Sequence, residues 1–167
     1  MLFYVDATPI KSIIDPESPN VPSIGDEEIV FPNITMTKNG TIAFEDLWPS
    51  QGDYDMNDLV LTYQSTITFD KDNKAIKTED IFTPINNGAG VDNAFGYQLD
   101  GVSATNLKSV SIERPTWAST PSANIGMYDV ELGQRYAVFR LFDSTKDGFT
   151  GKDRVYKGGN FKITIEY

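Results

Sequence analysis

The sequence predicts an all-β fold, an antiparallel β-sandwich or jelly-roll-like single domain. Three observations predict it. Long stretches alternate apolar and polar side chains with a period of two, which puts one face of an extended strand against a core. These stretches are separated by Gly-, Asn- and Asp-bearing turns, as antiparallel sandwiches require. No segment sustains a helical period with caps at its ends. The 167 residues suffice for one domain with a sizeable core, and 12% are aromatic, mostly Phe and Tyr, which suit strands.

Taken in order, residues 1–28 read as an N-terminal extension and linker. Pro16, Pro19 and Pro22 make 15–26 a loop or extended linker, and the apolar burst from Leu2 to Ile14 reads as an added strand or the remnant of an upstream region. The compact domain is expected over 29–167. Asn39-Gly40 is a turn pair leading into Thr41–Phe44. Leu59, Leu61, Tyr63, Ser65, Ile67 and Phe69 form one face of a long strand. Asp70–Lys74 is a polar turn, and Ala75 to Thr83 returns antiparallel. Further strands are expected at Ala94–Leu99, Leu107–Ile112 and Arg135–Phe142, with a hairpin turn around Asp147-Gly148. Phe161, Ile163, Ile165 and Tyr167 alternate with Lys162, Thr164 and Glu166 in the last one. Tyr167 falls inside a strand-like run, so either the chain ends as a core strand or the sequence is cut there.

Composition removes several function classes. There is no Cys and no His, which excludes disulfides, most zinc, copper, haem and iron–sulfur sites, and the Ser-His-Asp and Cys-His nucleophiles. A formal net charge of −10 disfavours nucleic acid and anionic membranes and favours divalent cations or basic partners. No apolar run is long enough to span a bilayer, and Met1–Asp6 lacks the basic start and apolar stretch of a signal peptide.

The most informative segment is 44–58. It carries Glu45, Asp46, Asp53, Asp55, Asn57 and Asp58, with no Lys or Arg between Lys38 and Lys71. Neighbouring carboxylates at this density repel by roughly 2–4 kcal/mol per close pair at an effective dielectric near 20. Solvent or a hard cation must relieve that. Calcium takes six to eight oxygens in irregular geometry, and Asp53, Asp55 and Asn57 alternate along an extended chain, so they point the same way. Pro49 and Gly52 let the loop fold Glu45 or Asp46 back, and Asp58 opens the long strand. The expected ligand set is therefore Glu45, Asp46, Asp53, Asp55, Asn57 and Asp58 around Ca2+. The spacing also begins an EF-hand loop, but Asp58 stands where that loop needs Gly and Gln64 where it needs Glu, and flanking helices are missing.

The run Thr41-Ile42-Ala43-Phe44-Glu45-Asp46-Leu47-Trp48-Pro49-Ser50-Gln51-Gly52-Asp53-Tyr54-Asp55-Met56-Asn57-Asp58-Leu59-Val60 resembles the signature of the LruC domain of bacterial surface- and outer-membrane-associated proteins, notably of Bacteroidetes and leptospires. Asn93-Ala94-Phe95-Gly96-Tyr97-Gln98-Leu99 is similar to that family's second signature, with Ala94 where Gly is usual. The resemblance runs from about Gly40 to Tyr167. It implies an exported, cell-surface, β-rich domain and no enzyme activity. It also implies a further conserved portion beyond the equivalent of Tyr167, so this chain is expected to be truncated or a short variant. Calcium follows from the acids, not from the resemblance.

The expected function is a non-catalytic, calcium-stabilised extracytoplasmic domain used in adhesion, assembly or ligand binding, with a surface protein or glycan as partner. The alternative is a carbohydrate-binding module with a structural calcium, for which Trp117, between Pro115 and Pro121, is the candidate ligand contact. A glycoside hydrolase using two of the clustered carboxylates ranks below both.

Overall fold

The computed structural model describes Leu2–Phe3, residues 33–47 and residues 49–167. The predicted Pro-rich linker and Trp48 lie outside the described residues. The strands are β1 Leu2–Phe3, β2 Ile34–Phe44, β3 Leu59–Phe69, β4 Ala75–Asn86, β5 Ala94–Gln98, β6 Ser109–Glu113, β7 Val138–Phe142, β8 Phe149–Thr150, β9 Val155–Tyr156 and β10 Phe161–Glu166. The fold is all-β and sandwich-like, as the alternation predicts.

A five-stranded sheet has the order β2-β3-β4-β10-β6, with every neighbour antiparallel. A three-stranded sheet, β1-β5-β7, pairs β5 antiparallel to β7, while Leu2–Phe3 add in parallel to Ala94 and Phe95. β8 and β9 form a separate small hairpin. The inward residues of the larger sheet (Leu59, Leu61, Phe82, Phe161, Ile163 and Ile165) are buried in one cluster with Phe95, Tyr97, Phe139, Leu141 and Phe142 of the smaller one. Phe95 joins the layers, with ring centroids 5.4 Å from Phe82 and 5.9 Å from Phe142. Each such fully buried ring is worth about 1.5–3 kcal/mol over leaving it exposed. β10 shows the logic of the pattern: Phe161, Ile163 and Ile165 are buried, while Lys162 on the outer face pairs with Glu79 and Glu113, both at 3.8 Å.

One carboxylate interrupts this core. Asp80 of β4 faces Ser65 of β3 and Ile163 of β10 across the sheet and is buried. The Tyr97 hydroxyl of the opposite sheet donates to its Oδ2 at 3.2 Å. A buried carboxylate needs such donors, because removal from water without partners is costly.

Two local expectations are corrected. Asn39-Gly40 is not a turn: β2 runs through it, with Asn39 opposite Gln64 and Gly40 opposite Tyr63. The Tyr63 ring lies over Gly40, where a β-carbon would stand 2.9 Å from the ring carbon Cε1, so the glycine makes room for a cross-strand aromatic instead of reversing the chain. Asp147-Gly148 does not turn a hairpin either. It lies in a short 3-10 turn over Lys146–Gly148, and the hairpin follows as β8 and β9.

Candidate metal centre

The ladder between β2 and β3 builds the neck of the acidic loop. Phe44 is opposite Leu59, and the Asp58 N–H donates to the Phe44 carbonyl at 3.2 Å. Glu45 and Asp58, the next residues on each strand, are thereby held together at the mouth of the sandwich. Both are buried, with 6% of each exposed. The Asp46 N–H donates to Asp58 Oδ2 at 2.7 Å and locks the neck. The far side of the loop returns through Gly52, which sits so close to the Glu45 carboxylate that a β-carbon would be 2.2 Å from Oε1. Asp53 follows directly. Glu45, Asp53 and Asp58 each offer a carboxylate oxygen, and all of these lie within 4.8 Å of one another.

Glu45 is the centre of this arrangement. Its Oε2 is shut off from solvent and has no hydrogen-bond partner among the described residues. Burial pushes its carboxyl above the usual range, and the charges of Asp58 and Asp53 push it further, against the pull of the Met56 N–H. A cation bonded to that oxygen would replace both the missing donor and the like-charge contact. The surrounding cleft, about 390 Å3, is walled by Asp46, Gln51, Gly52, Gly88 and Val91, and no Lys or Arg lines it among the described residues. Asp46 lines it with Oδ2 accepting from the Val91 N–H at 3.4 Å.

The predicted six-ligand set divides. Glu45, Asp53 and Asp58 converge, with Asp46 beside them. Asp55 and Asn57 line a neighbouring cleft instead, which Asp53 also borders. The cause is the backbone between them: Tyr54 and Met56 both adopt left-handed conformations, with φ of 59° and 55°, which breaks the extended alternation that would have aimed 53, 55 and 57 in one direction. Asp55 is turned onto Asn57, whose backbone N–H reaches Oδ1 at 3.2 Å and whose side-chain amide donates to Oδ2.

The end of β4 supplies a wall that strand reading misses. Val60 pairs with Asn86, so Asn86, Asn87 and Gly88 run alongside the loop. The Asn57 carbonyl accepts from the Gly88 N–H at 2.8 Å and from Asn86 Nδ2 at 2.7 Å. In the sequence the Asn-Asn-Gly triplet signals only a turn. Nothing local announces that it faces the acids.

Trp117 is half-buried and packed. Its ring meets Phe142, Tyr156 and Phe161 edge-on at 5.9, 6.0 and 5.5 Å, and its indole N–H donates to the Gly158 carbonyl at 3.0 Å. Asp92, at the entry to β5, is similarly structural. Burial raises its carboxyl, but the Lys146 N–H and the Ser144 and Thr145 hydroxyls outweigh that, leaving it below the usual carboxylate range.

Fold and site together define an all-β sandwich domain with a carboxylate-lined cleft at one end. Residues 73–164 match the family described as Domain of unknown function (DUF4842), and the chain belongs to that family. The matched span begins at the turn before β4, so the acidic loop lies outside it. No curated protein and no solved structure matches the chain. No helix among the described residues is long and apolar enough to cross a membrane.

Proposed function

We propose that the chain is a non-catalytic, calcium-stabilised extracytoplasmic domain of a bacterial surface protein, serving adhesion, assembly or ligand binding; its likeness to the LruC domain supports the surface location and the absence of catalysis, and the clustered acids support the calcium. One observation carries the calcium: Glu45, whose Oε2 is closed to solvent with no hydrogen-bond partner among the described residues, offers a carboxylate oxygen that clusters with one from Asp53 and one from Asp58 within 4.8 Å. Three clustered carboxylates, one of them with a buried oxygen that has no partner among the described residues, suit a hard cation. Calcium accommodates the irregular loop better than magnesium, which demands near-octahedral ligands. The ion would clamp the loop onto the neck of the β2–β3 hairpin, so its binding is coupled to local order.

The same geometry weighs against a glycoside hydrolase, whose two carboxyl groups flank a substrate at about 5–5.5 or 6.5–9.5 Å. Here three carboxylates crowd one point at the root of a loop. The packed ring of Trp117 weighs against its use as a sugar platform.

The test is thermal melting of the full chain against calcium. Wild type should melt higher as calcium rises through the millimolar range, and E45Q should not respond. A wild-type melting temperature unmoved by calcium would falsify the ion.

A further inference from the structure

The five-stranded sheet ends in two unlike edges. β6 is short, with Lys108 before it and Glu113 at its end, the brief and charged kind of edge that resists pairing. β2 has no such protection. It runs for 11 residues against β3 without a register shift, holds no Pro and carries one charge, Lys38. Residues 33–41 are all exposed, and no strand pairs with the outer side of β2 among the described residues. β5 and β7 of the smaller sheet have five residues each, and the Ile34 end of the larger sheet's inner face is open: Ile34 is 57% and Met36 37% exposed.

An open edge of this kind accepts one more strand. We propose that the strand is β2 of a second copy, paired antiparallel about a two-fold axis at Asn39. Charge selects this arrangement. The acidic loop follows directly from Phe44, so parallel pairing would set the two loops side by side. Antiparallel pairing sets Glu45 of the two copies about 40 Å apart along the ladder, several screening lengths.

Full overlap of residues 34–44 with their own copy fixes the register. Asn39 falls opposite Asn39, and inward residues fall opposite inward ones, so the inner faces of the two sheets are continuous. Lys38 meets Gly40 instead of a second Lys38. The Tyr63 ring is folded onto Gly40, with Cε1 and the hydroxyl 2.9 and 3.1 Å from where a β-carbon would stand, so the ammonium arrives at an aromatic ring. Met36 falls opposite Ile42 on the inner face and Thr37 opposite Thr41 on the outer one, pairings that stabilise sheets. The ladder supplies about ten main-chain hydrogen bonds, as many as a specific interface carries. The pairing uses the open edge of both copies, so it closes at two. It is independent of the calcium reading.

The test is the solution mass of the full chain by sedimentation equilibrium, in chelator, up to hundreds of micromolar. Wild type should show twice the mass of one chain. Asn39 is exposed, so a charge there leaves the core untouched. N39D and N39K each set like charges opposite one another across the axis and should weaken association about tenfold. Mixed in equal amounts, the two variants should pair with each other and regain the wild-type affinity, because position 39 meets only its own counterpart. A wild type that stays monomeric, or that grows beyond a dimer, overturns the proposal. So does a dimer that both variants leave intact, or a mixture that associates no better than either variant alone.

Discussion

Gly88 lies directly beneath Asn57: a β-carbon at position 88 would stand 1.4 Å from Asn57 Oδ1 and 2.9 Å from the Asn57 carbonyl oxygen. The end of β4 therefore touches the acidic loop with bare backbone, and the Gly88 N–H holds the Asn57 carbonyl at 2.8 Å. Any side chain at 88 must push the loop away from the strand. Gly88→Ala should destabilise the protein by about 1–3 kcal/mol, as overpacking does. It should also weaken calcium binding, because the acids ride on the displaced loop. Denaturant melts and a calcium titration of G88A check both effects.

The protonation of Glu45 sets the pH dependence of the calcium effect. Burial, then Asp58 and Asp53, raise its carboxyl from the ordinary 4.5, so the metal-free fold favours the neutral form. Stability from that form is complete below the unfolded value and is lost as pH rises through the folded one. Calcium needs the charged form, so its stabilisation grows over the same interval. At calcium about 100-fold above the dissociation constant, the melting temperature near neutral pH should rise by about 5–10 °C. The rise should shrink towards pH 4. E45Q should abolish both the calcium rise and this part of the pH dependence in chelator. Melting curves across pH, with calcium and with chelator, decide it.

Asp80 makes a second, metal-independent pH effect. Burial raises its carboxyl above the ordinary 3.8, while hydrogen bonds from Ser65 and Tyr97 pull it back only in part. The neutral form again favours the fold, so this contribution is present at acidic pH and lost as pH climbs through the folded-state value. Asp80→Asn mimics the neutral form at every pH. The variant should melt above wild type near pH 7, and the gap should close towards pH 4. A gap that stays constant with pH would assign the effect to packing rather than charge.

Trp117 divides two roles cleanly. A ring packed on Phe142, Tyr156 and Phe161 should cost about 3 kcal/mol when truncated to Ala, a drop of roughly 6–12 °C in Tm. W117F should recover part of that and lose the bond to Gly158. A sugar-contacting ring would leave Tm nearly unchanged in either variant. Differential scanning calorimetry of W117A and W117F separates the two.

Much of this molecule was legible along the chain. The alternation in Leu59–Phe69 and Phe161–Glu166 marks strands because side-chain direction in an extended chain is a local property, independent of partners. The acids of 45–58 stand out because no base lies between Lys38 and Lys71. Tertiary pairing alone decided the rest. Tyr63 on the neighbouring strand makes Asn39-Gly40 part of β2. The register of Val60 with Asn86 brings Asn87 and Gly88 to the loop, and Arg154 reaches it from the far end of the chain, where no local count could place it. Tyr54 and Met56, turned left-handed, divide the acids between two clefts. A sequence determines which groups are available and which way each strand faces. Which oxygens end within reach of one ion depends on long-range register, and that exists only once the strands have paired.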